Sequence, residues 1–278
     1  MTYATGRVHE VRLEFICDPL KYYARRVGRR HRDVDYTIKG AIAGVFDDRG
    51  VPENAIRLRA KELGGDSPAF MEYRKRNNTP CLRPFFKGPI RGRTIPVWGY
   101  STLSADELRW RSEQFADSEA FSVMDPRSLC SKPLPRYWSK RVGFSVTAVP
   151  VKEGQLSYYD MRKKKDPSIS RQEAYVEWLT GQIEKPEGWP QGTGVKLVEA
   201  SLTTTPQSKK VWRAEKNDED GRREEYQVYL TVVELIGTLE VESSYLFNEF
   251  LLVGIGRERG FGYGMLRTHQ AASSLLTP

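Results

Sequence analysis

The sequence predicts an α+β protein built from two consecutive units with the order strand, helix, strand, strand, helix, strand. Residues 141–278 show this complete order of alternating and helical patterns, and residues 8–46 begin with the same strand and helix. Between them, residues 126–135 contain three prolines, which is typical of a linker. The βαββαβ order defines a ferredoxin-like domain. We therefore expect two tandem ferredoxin-like domains, residues 1–140 and 141–278, the first with basic helical insertions.

The elements that open the second domain have clear signals. Residues 141–151 alternate apolar and polar side chains and are rich in β-formers, which predicts a strand with one buried face. Residues 170–183 place apolar side chains at helical spacing. Ser170 can cap this helix, and Glu173, three residues later, completes a capping box.

The remainder of the second domain predicts a hairpin, a helix and a last strand. Residues 195–205 and 226–241 are strand-like and are joined through a charged tip at residues 214–223. An apolar segment at residues 243–253 predicts the second helix, and residues 265–269 predict the final strand. Together with the preceding strand and helix, these elements complete the βαββαβ order.

The first domain starts with the same pattern, but its remaining strands and helices are harder to assign. Residues 8–16 alternate as a strand, residues 37–46 form an apolar helical segment, and residues 94–100 are strand-like. Residues 52–78 are basic and helical in character, which predicts an insertion within this domain. A dense run of positive charge at residues 21–32 must face solvent or a ligand, because unpaired buried cations are too costly.

Composition favours a polyanionic partner. The 278 residues are 39% hydrophobic, enough for a buried core, and carry a formal net charge of +8. Such a surplus of Lys and Arg makes nucleic acid the leading candidate ligand. We find no 18-residue apolar run and no apolar core of a signal peptide near the N-terminus, so we expect a cytoplasmic protein with no membrane association.

The sequence contains no spacing typical of a metal site. The three cysteines are far apart, which suits reduced, structural thiols. His9, His31 and His269 are equally dispersed, with no H-E-x-x-H and no C-x-x-C motif. We therefore predict no metal and no cofactor.

The most informative segment is residues 254–264, which contain five glycines, two arginines and two aromatic residues. Glycine adopts positive φ without strain and lets backbone amides converge on phosphate oxygens. A dinucleotide-binding turn does not fit, because a helix precedes the segment and the glycine spacing is wrong, and no Gly-Lys-Ser/Thr of a phosphate loop follows. A simple glycine-rich turn between helix and strand remains an open alternative.

Three basic segments are candidates for contacts with nucleic acid: the first basic loop, the charged hairpin and the glycine-rich segment. Arginine offers a forked donor for phosphates, and aromatic rings offer stacking faces. The predicted binding residues are Arg25, Arg26, Arg29, Lys209, Lys210, Arg213, Arg222, Arg223, Gly256, Arg257, Arg259, Phe261 and Tyr263. A solvated charged surface is the competing interpretation for each of them.

The tail Gly-Ile-Gly-Arg-Glu-Arg-Gly-Phe-Gly-Tyr-Gly-Met-Leu, following a strand and a helix, resembles the C-terminal signature of CRISPR pre-crRNA-processing endoribonucleases. These enzymes belong to the repeat-associated (RAMP) superfamily of paired ferredoxin-like domains. The pattern is most similar to the type I-E nuclease, and the basic first half suggests a divergent branch such as type IV. The resemblance implies a protein that binds the stem-loop of a repeat RNA, cleaves precursor crRNA, and stays with the product among other effector-complex subunits.

The resemblance also implies where the chemistry lies. RNA supplies its own nucleophile, the 2′-OH, so cleavage needs alignment, proton transfer and cations against the developing charge, and a metal is optional. Enzymes of this type use a residue near the first strand and helix, which assigns the catalytic role to His31, with Tyr23 and Arg30 beside it. Neighbouring cations favour neutral His31, which suits a base. Should His31 be dispensable, arginines and RNA geometry would carry the reaction.

Two further interpretations stay open. A cluster of tyrosines and cations at residues 158–165 suits stacking and phosphate contacts, but it also suits a charged loop. A non-catalytic RAMP subunit that holds guide RNA as a scaffold would show the same basic surfaces. An RNA-recognition domain of the RRM type is disfavoured, because no strand carries its aromatic signature.

Overall fold

The computed structural model describes residues 7–26, 34–46, 82–115, 121–151, 157–184, 192–216 and 223–269. The chain divides into two compact units. Unit 1 comprises Met1–Pro135 and Gly260–Gly262, and unit 2 comprises Arg136–Arg259 and Tyr263–Pro278. The predicted basic insertion at residues 52–78 lies outside the described residues.

Unit 1 contains a four-stranded antiparallel sheet and three described helices. The sheet order is β2-β3-β1-β4, which is the order of a ferredoxin-like domain. In chain order the elements are β1 (His9–Ile16), α1 (Cys17–Arg26), α2 (Val34–Phe46), β2 (Leu82–Lys87), β3 (Thr94–Ser101), α3 (Ala105–Phe115) and β4 (Met124–Pro133).

The core of unit 1 follows from the alternation along β1. Val11, Leu13 and Phe15 are fully buried, because every second side chain of a strand points to the same face. These residues join a cluster with apolar side chains of α2, including Ile38 and Ile42. The predicted strand at residues 8–16 and helix at residues 37–46 are thereby confirmed.

The predicted linker at residues 126–135 is wrong, because most of this segment forms β4. This strand pairs with β1, from His9 opposite Pro133 to Phe15 opposite Met124. The register shifts between Arg12 and Glu14, where the pairing is irregular. Proline cannot donate to a sheet, but edge strands and irregular positions tolerate it. Pro126 and Pro133 therefore lie on the edge strand of a sheet, and the boundary between the two units follows Pro135.

Unit 2 contains the second ferredoxin-like sheet, with the order β6-β8-β5-β9 and with β7 paired to β8. The predicted tandem ferredoxin-like fold is confirmed by these two strand orders. Its elements are β5 (Arg141–Ala148), α4 (Tyr158–Lys165), α5 (Arg171–Glu184), β6 (Val195–Leu202), β7 (Gln207–Lys216), β8 (Arg223–Val241), α6 (Ser244–Val253) and β9 (Arg267–His269). Between α6 and β9, a short 3₁₀ turn (Arg259–Phe261) begins in unit 2 and continues in Gly260–Gly262 of unit 1.

The predicted pairing of residues 195–205 with residues 226–241 is confirmed, because β6 pairs with β8. The connection between them needs correction, because that part of the chain contains a further strand, β7. β8 is 19 residues long and pairs with β6 near its end and with β7 near its beginning. The supposed tip at 214–223 is partly paired, with Lys216 opposite Arg223. Charged residues are compatible with a two-stranded ribbon, which leaves much of its surface to solvent. Residues 217–222 lie outside the described part of the chain.

The helices of unit 2 begin at recognisable caps. At α5, the Ser170 amide donates to Glu173 Oε2 at 2.8 Å and the Glu173 amide donates to Ser170 Oγ at 3.1 Å, which confirms the capping box. The hydrogen bonds from Ser170 hold the pKa of the Glu173 carboxyl below its ordinary value. Ser157 caps α4 by accepting from the Asp160 amide. No helix among the described residues is long and apolar enough to cross a membrane.

Candidate nucleic-acid interface

A two-stranded ribbon formed by β7 and the first half of β8 includes four of the predicted hairpin positions, Lys209, Lys210, Arg213 and Arg223. Ten residue pairs connect the strands, from Gln207 opposite Val232 to Lys216 opposite Arg223. Because side chains alternate along a strand, positions 210 and 216 share one face of the ribbon and positions 209 and 213 share the other. The predicted cations are therefore divided between two faces, which the sequence analysis treated as one group.

The two lysines at the start of the ribbon have different surroundings. The Lys209 ammonium lies 5.5 Å from the centre of the Tyr263 ring, on the face where neighbouring Val211 is buried. Lys210 is exposed and stands opposite Tyr229, whose side chain is 69% exposed. The pair of Lys210 and Tyr229 thus presents a cation and an aromatic ring to solvent. Such a pair is suited to phosphate contact and base stacking.

Tyr229 is a candidate that the sequence analysis missed. It lies within the predicted strand at residues 226–241, but its position has the same parity as the buried Val233 and Leu235, so the alternation of that strand alone would bury it. What the sequence lacked was the register that sets Tyr229 opposite Lys210.

Backbone hydrogen bonds within the protein occupy several amides of the glycine-rich segment. The Gly254 amide donates to the Phe250 carbonyl, the Ile255 amide to the Gly264 carbonyl, and the Gly264 amide to the Thr147 carbonyl, at 2.7–2.8 Å. The Gly256 amide donates to Gln182 Oε1 at 3.1 Å. These amides hold the segment together, so their convergence on a phosphate would require the loop to rearrange.

The glycines are also required by close packing. Gly254, Gly256 and Gly264 all have positive φ, between 64° and 73°. A Cβ at Gly254 would lie 2.5 Å from Met265 Sδ, and one at Gly256 would lie 2.9 Å from the Trp178 ring. A Cβ at Gly264 would collide with the Ile255 carbonyl oxygen. The open alternative of a packed glycine turn therefore accounts for these three positions without a ligand.

The aromatic residues of this segment are mostly buried. Phe261 is 8% exposed and Tyr263 is 6% exposed. In unit 1, the Lys39 ammonium lies 4.0 Å from the centre of the Phe261 ring, and Lys87, which is paired with Asp35, donates to the Phe261 carbonyl at 3.3 Å. In this structure the two rings therefore pack with the protein and do not offer open stacking faces.

The two arginines of the segment are more accessible. Arg257 is exposed and Arg259 is partly exposed. Between them, Glu258 adopts a φ of 62°, a conformation that is uncommon for a residue other than glycine. The chain thus turns sharply at Glu258, with an arginine on each side.

The candidate catalytic region is only partly described. Tyr23 lies in α1 and is 9% exposed, and its hydroxyl donates to the Gly40 carbonyl of α2 at 3.3 Å. The backbone of Arg25 and Arg26 belongs to the last turn of α1. The other predicted residues of this loop, Arg29, Arg30 and His31, and the hairpin residue Arg222, lie outside the described residues.

The remaining histidines lie on strands of different units. In unit 2, His269 Nε2 is 2.9 Å from Ser145 Oγ, and burial together with Arg267 lowers the pKa of His269. In unit 1, burial lowers the pKa of His9 on β1. Within the described ranges, no group of three or more His, Cys, Asp or Glu side chains has the geometry of a metal site.

The aromatic and basic cluster at residues 158–165 forms helix α4, which the sequence analysis did not predict. The Tyr159 ring lies 5.5 Å from the Lys163 ammonium and 5.4 Å from the Arg171 guanidinium. Arg162 pairs with Glu177 at 2.9 Å, and the Tyr158 hydroxyl donates to the same carboxylate at 3.2 Å. Tyr158, Tyr159 and Arg162 are therefore engaged in contacts with α5, whereas the three lysines at residues 163–165 are exposed.

Comparison with known proteins gives one family and several structural similarities. A family model for CRISPR associated proteins matches residues 98–268, which is more than half of the chain. Among curated proteins, none matches.

The structural similarities cover nearly the whole chain at low identity. CRISPR endoribonuclease Cse3 bound to a 19-nucleotide RNA has a TM-score of 0.48 and 17% identity, over 94% of this chain and 99% of that one. Thermus thermophilus Cse3 with an RNA representing a pre-cleavage complex has a TM-score of 0.45 and 16% identity, over 95% and 99%. CRISPR-associated protein Cas6e from Escherichia coli str. K-12 has a TM-score of 0.47 and 11% identity, over 94% of this chain and 100% of that one.

Proposed function

The chain belongs to the family of CRISPR associated proteins, and from this premise we propose that it is an endoribonuclease that processes precursor crRNA. Its substrate is the stem-loop of a CRISPR repeat, and it stays on the product beside other effector-complex subunits. The family match over residues 98–268 carries the proposal, because it includes the glycine-rich segment that resembles the processing nucleases. The net charge of +8 supports a polyanionic substrate.

The ribbon provides the first contact with the RNA stem. A double-stranded RNA exposes phosphates and shape more than readable base edges, so an extended cationic ribbon is suited to it. Lys210 contributes a charge on the solvent-facing side, opposite Tyr229. In the register of the ribbon, position 223 pairs with position 216 on the side that includes position 210.

We predict that Lys210→Ala weakens binding of the repeat hairpin about tenfold, because one charge-assisted contact with phosphate is lost. The slope of log affinity against log salt concentration should fall by about 1. Fluorescence anisotropy over a salt series measures both quantities. Lys196→Ala is the matched control, because Lys196 is an exposed lysine of unit 2 that pairs with Glu242. Equal slopes for Lys210→Ala and the wild type would remove Lys210 from the interface.

The proposed reaction is a transesterification by the RNA itself. The 2′-OH beside the scissile phosphate attacks in line, His31 removes its proton, and Arg30 offsets charge on the phosphorane. The oxygen of the 5′ leaving group takes up a proton from water as its bond to phosphorus breaks, and the proton on His31 returns to solvent. No step requires a metal ion. Tyr23 is buried, and its hydroxyl donates a hydrogen bond to the Gly40 carbonyl. These contacts favour a role in positioning α1, the helix that precedes the arginine-rich loop, over direct contact with RNA.

A non-catalytic subunit that holds guide RNA is the second candidate function. One observation favours it: Tyr23, the candidate catalytic residue that lies within the described part of the chain, is 9% exposed, and its hydroxyl donates to the Gly40 carbonyl. A scaffold needs cationic surfaces but no residue that transfers protons. The two functions differ only in cleavage.

The test of the proposed function is cleavage in EDTA of a hairpin repeat transcribed from the CRISPR array nearest the gene. The control is the same RNA with a single 2′-deoxy substitution at the cut site. We expect cleavage of the first RNA and none of the second, because the nucleophile is absent in the control. Tight binding without cleavage of either RNA would leave the scaffold function, and cleavage of both would exclude attack by the 2′-OH.

A further inference from the structure

An unusually exposed tyrosine stands at the beginning of unit 2. Tyr137 is 88% exposed, the highest exposure among the large hydrophobic side chains of the described residues. It precedes β5 and lies in a short segment with exposed Arg136 and Arg141. A single exposed aromatic side chain needs no explanation by itself. Tyr137 differs because the next residue, Trp138, is held in place by several contacts.

Trp138 anchors the segment at three points. Its amide donates to Ser244 Oγ at 3.0 Å, and its indole Nε1 donates to Asn248 Oδ1 at 2.7 Å. Its ring packs edge-on against Phe247 of α6, with centroids 5.1 Å apart. The residue beside Tyr137 is therefore fixed to helix α6 through both backbone and side chain.

The backbone that follows Trp138 is also held by a hydrogen bond. The Lys140 carbonyl accepts from the Val241 amide at 2.8 Å, which joins the segment to the end of β8. The chain that follows Tyr137 is therefore held at two points, and the first of them is the peptide bond that joins Tyr137 to Trp138. The tyrosine ring is thus presented to solvent next to an ordered backbone, and preorganisation lowers the entropic cost of binding.

The charges of this segment favour a polyanion. Arg136 and Arg141 are exposed, and Lys140 pairs with Glu240 at 3.3 Å. A second aromatic side chain, Tyr245, lies one residue after the Ser244 that contacts Trp138, and it is 48% exposed. Aromatic rings interleaved with cations form the typical surface for single-stranded nucleic acid, with rings for bases and cations for phosphates.

We propose that Tyr137 and the flanking arginines bind the single-stranded RNA that adjoins the repeat hairpin, with an unpaired base stacked on the Tyr137 ring. A single strand fits better than the stem, because bases within a duplex are already stacked on both faces. The inference rests on the proposed function for the identity of the RNA. It adds a second RNA contact in unit 2, separate in sequence from the ribbon and from the glycine-rich segment.

The test compares three RNAs and three variants by equilibrium binding. One RNA is the hairpin alone, and the other two carry a single-stranded extension of about ten nucleotides on the 5′ side or the 3′ side of the hairpin, enough for a few stacking contacts. For the wild type, one of the extensions should raise affinity about tenfold. Tyr137→Ala should lose this gain and still bind the hairpin alone normally, whereas Tyr137→Phe, which keeps the ring, should retain it.

Arg127→Ala is the control for substitution of an exposed residue outside this segment, because Arg127 is exposed and lies on β4 of unit 1. It should retain the gain from the extension. Melting temperatures equal to the wild type show that each variant is folded. If neither extension raises the affinity of the wild type, or if Tyr137→Ala keeps the gain, the inference is wrong and the segment is available to a protein partner.

A third measurement separates this inference from the proposed function. A single-stranded oligonucleotide containing photoreactive 4-thiouridine is crosslinked to the wild-type protein, and the modified peptide is identified by mass spectrometry. We expect crosslinks on the peptide that contains Tyr137. Should the repeat hairpin fail to bind at all, the proposed function fails, but a crosslink at Tyr137 would still support the single-strand site. Crosslinks confined to other peptides would overturn it.

Discussion

Replacing His31 with alanine is expected to reduce cleavage of the repeat hairpin by about 10²- to 10⁴-fold, the range typical for loss of a general base. Binding of the uncleaved RNA should stay within about twofold of the wild type, because neutral His31 contributes little charge to a highly basic loop. Single-turnover cleavage with excess protein measures the chemical step without the slow release of product.

The chain offers a matched control for this experiment. His269→Ala removes a histidine from unit 2 that contacts Ser145, and it should cleave at the wild-type rate. Wild-type cleavage by His31→Ala would instead assign the reaction to arginines and RNA geometry. If His31 is the base, the cleavage rate of the wild type should rise with pH and reach a plateau. The cleavage rate of His31→Ala should lack this dependence on pH.

Tyr23→Phe completes this set of variants, because it separates a positioning role from a catalytic one. The substitution removes only the hydroxyl that donates to Gly40. We expect near-normal cleavage and a loss of about 1 kcal/mol in the free energy of unfolding, the usual contribution of one hydrogen bond. A large loss of cleavage with an unchanged melting temperature would show that the Tyr23 hydroxyl takes part in the reaction.

The largest effect on stability is expected for Gly264→Ala. Gly264 has a φ of 73°, and a Cβ there would collide with the Ile255 carbonyl oxygen. The left-handed conformation costs an alanine about 1–2 kcal/mol, and overpacking typically adds about 1–3 kcal/mol. The melting temperature should therefore fall by on the order of 10 °C. The collision involves backbone atoms, which cannot move aside as a flexible side chain would.

Gly192→Ala is the control that isolates the conformational cost. Gly192 has a φ of 75°, but a Cβ there has no atom within 4 Å. Its substitution should therefore cost only about 1–2 kcal/mol. Differential scanning calorimetry of the two variants measures the difference. Equal destabilisation by both substitutions would mean that the contact with Ile255 contributes nothing.

Local patterns predicted most of the fold because they depend on physical rules of short range. The alternation in β1 reflects the burial of Val11, Leu13 and Phe15, and Ser170 with Glu173 identifies the start of α5. Where local rules conflict with tertiary pairing, prediction failed. Prolines usually interrupt structure, but Pro126 and Pro133 occur in a strand because β4 lies at a sheet edge.

The candidate interface was less predictable, because it depends on which atoms face each other. Lys209 and Lys210 are equivalent in a sequence, but the register of the ribbon places Tyr229 opposite only one of them. Glycine is equally ambiguous. A ligand and a close-packed carbonyl both require the absence of a Cβ, so the sequence of residues 254–264 alone cannot separate phosphate binding from packing.

The sequence by itself determined the composition of the protein, its basic character, the first strand and the helix at residues 37–46 of unit 1, and most of the strands and helices of unit 2. These properties follow from charge and from the periodicity of apolar residues, which act over a few residues. Only the tertiary structure decided that β4 completes the first sheet, that the amides of Gly254 and Gly264 are used internally, and that Trp138 holds Tyr137 towards solvent. These features depend on contacts between residues far apart in the chain, and no local pattern encodes which partner a strand, an amide or a ring will meet.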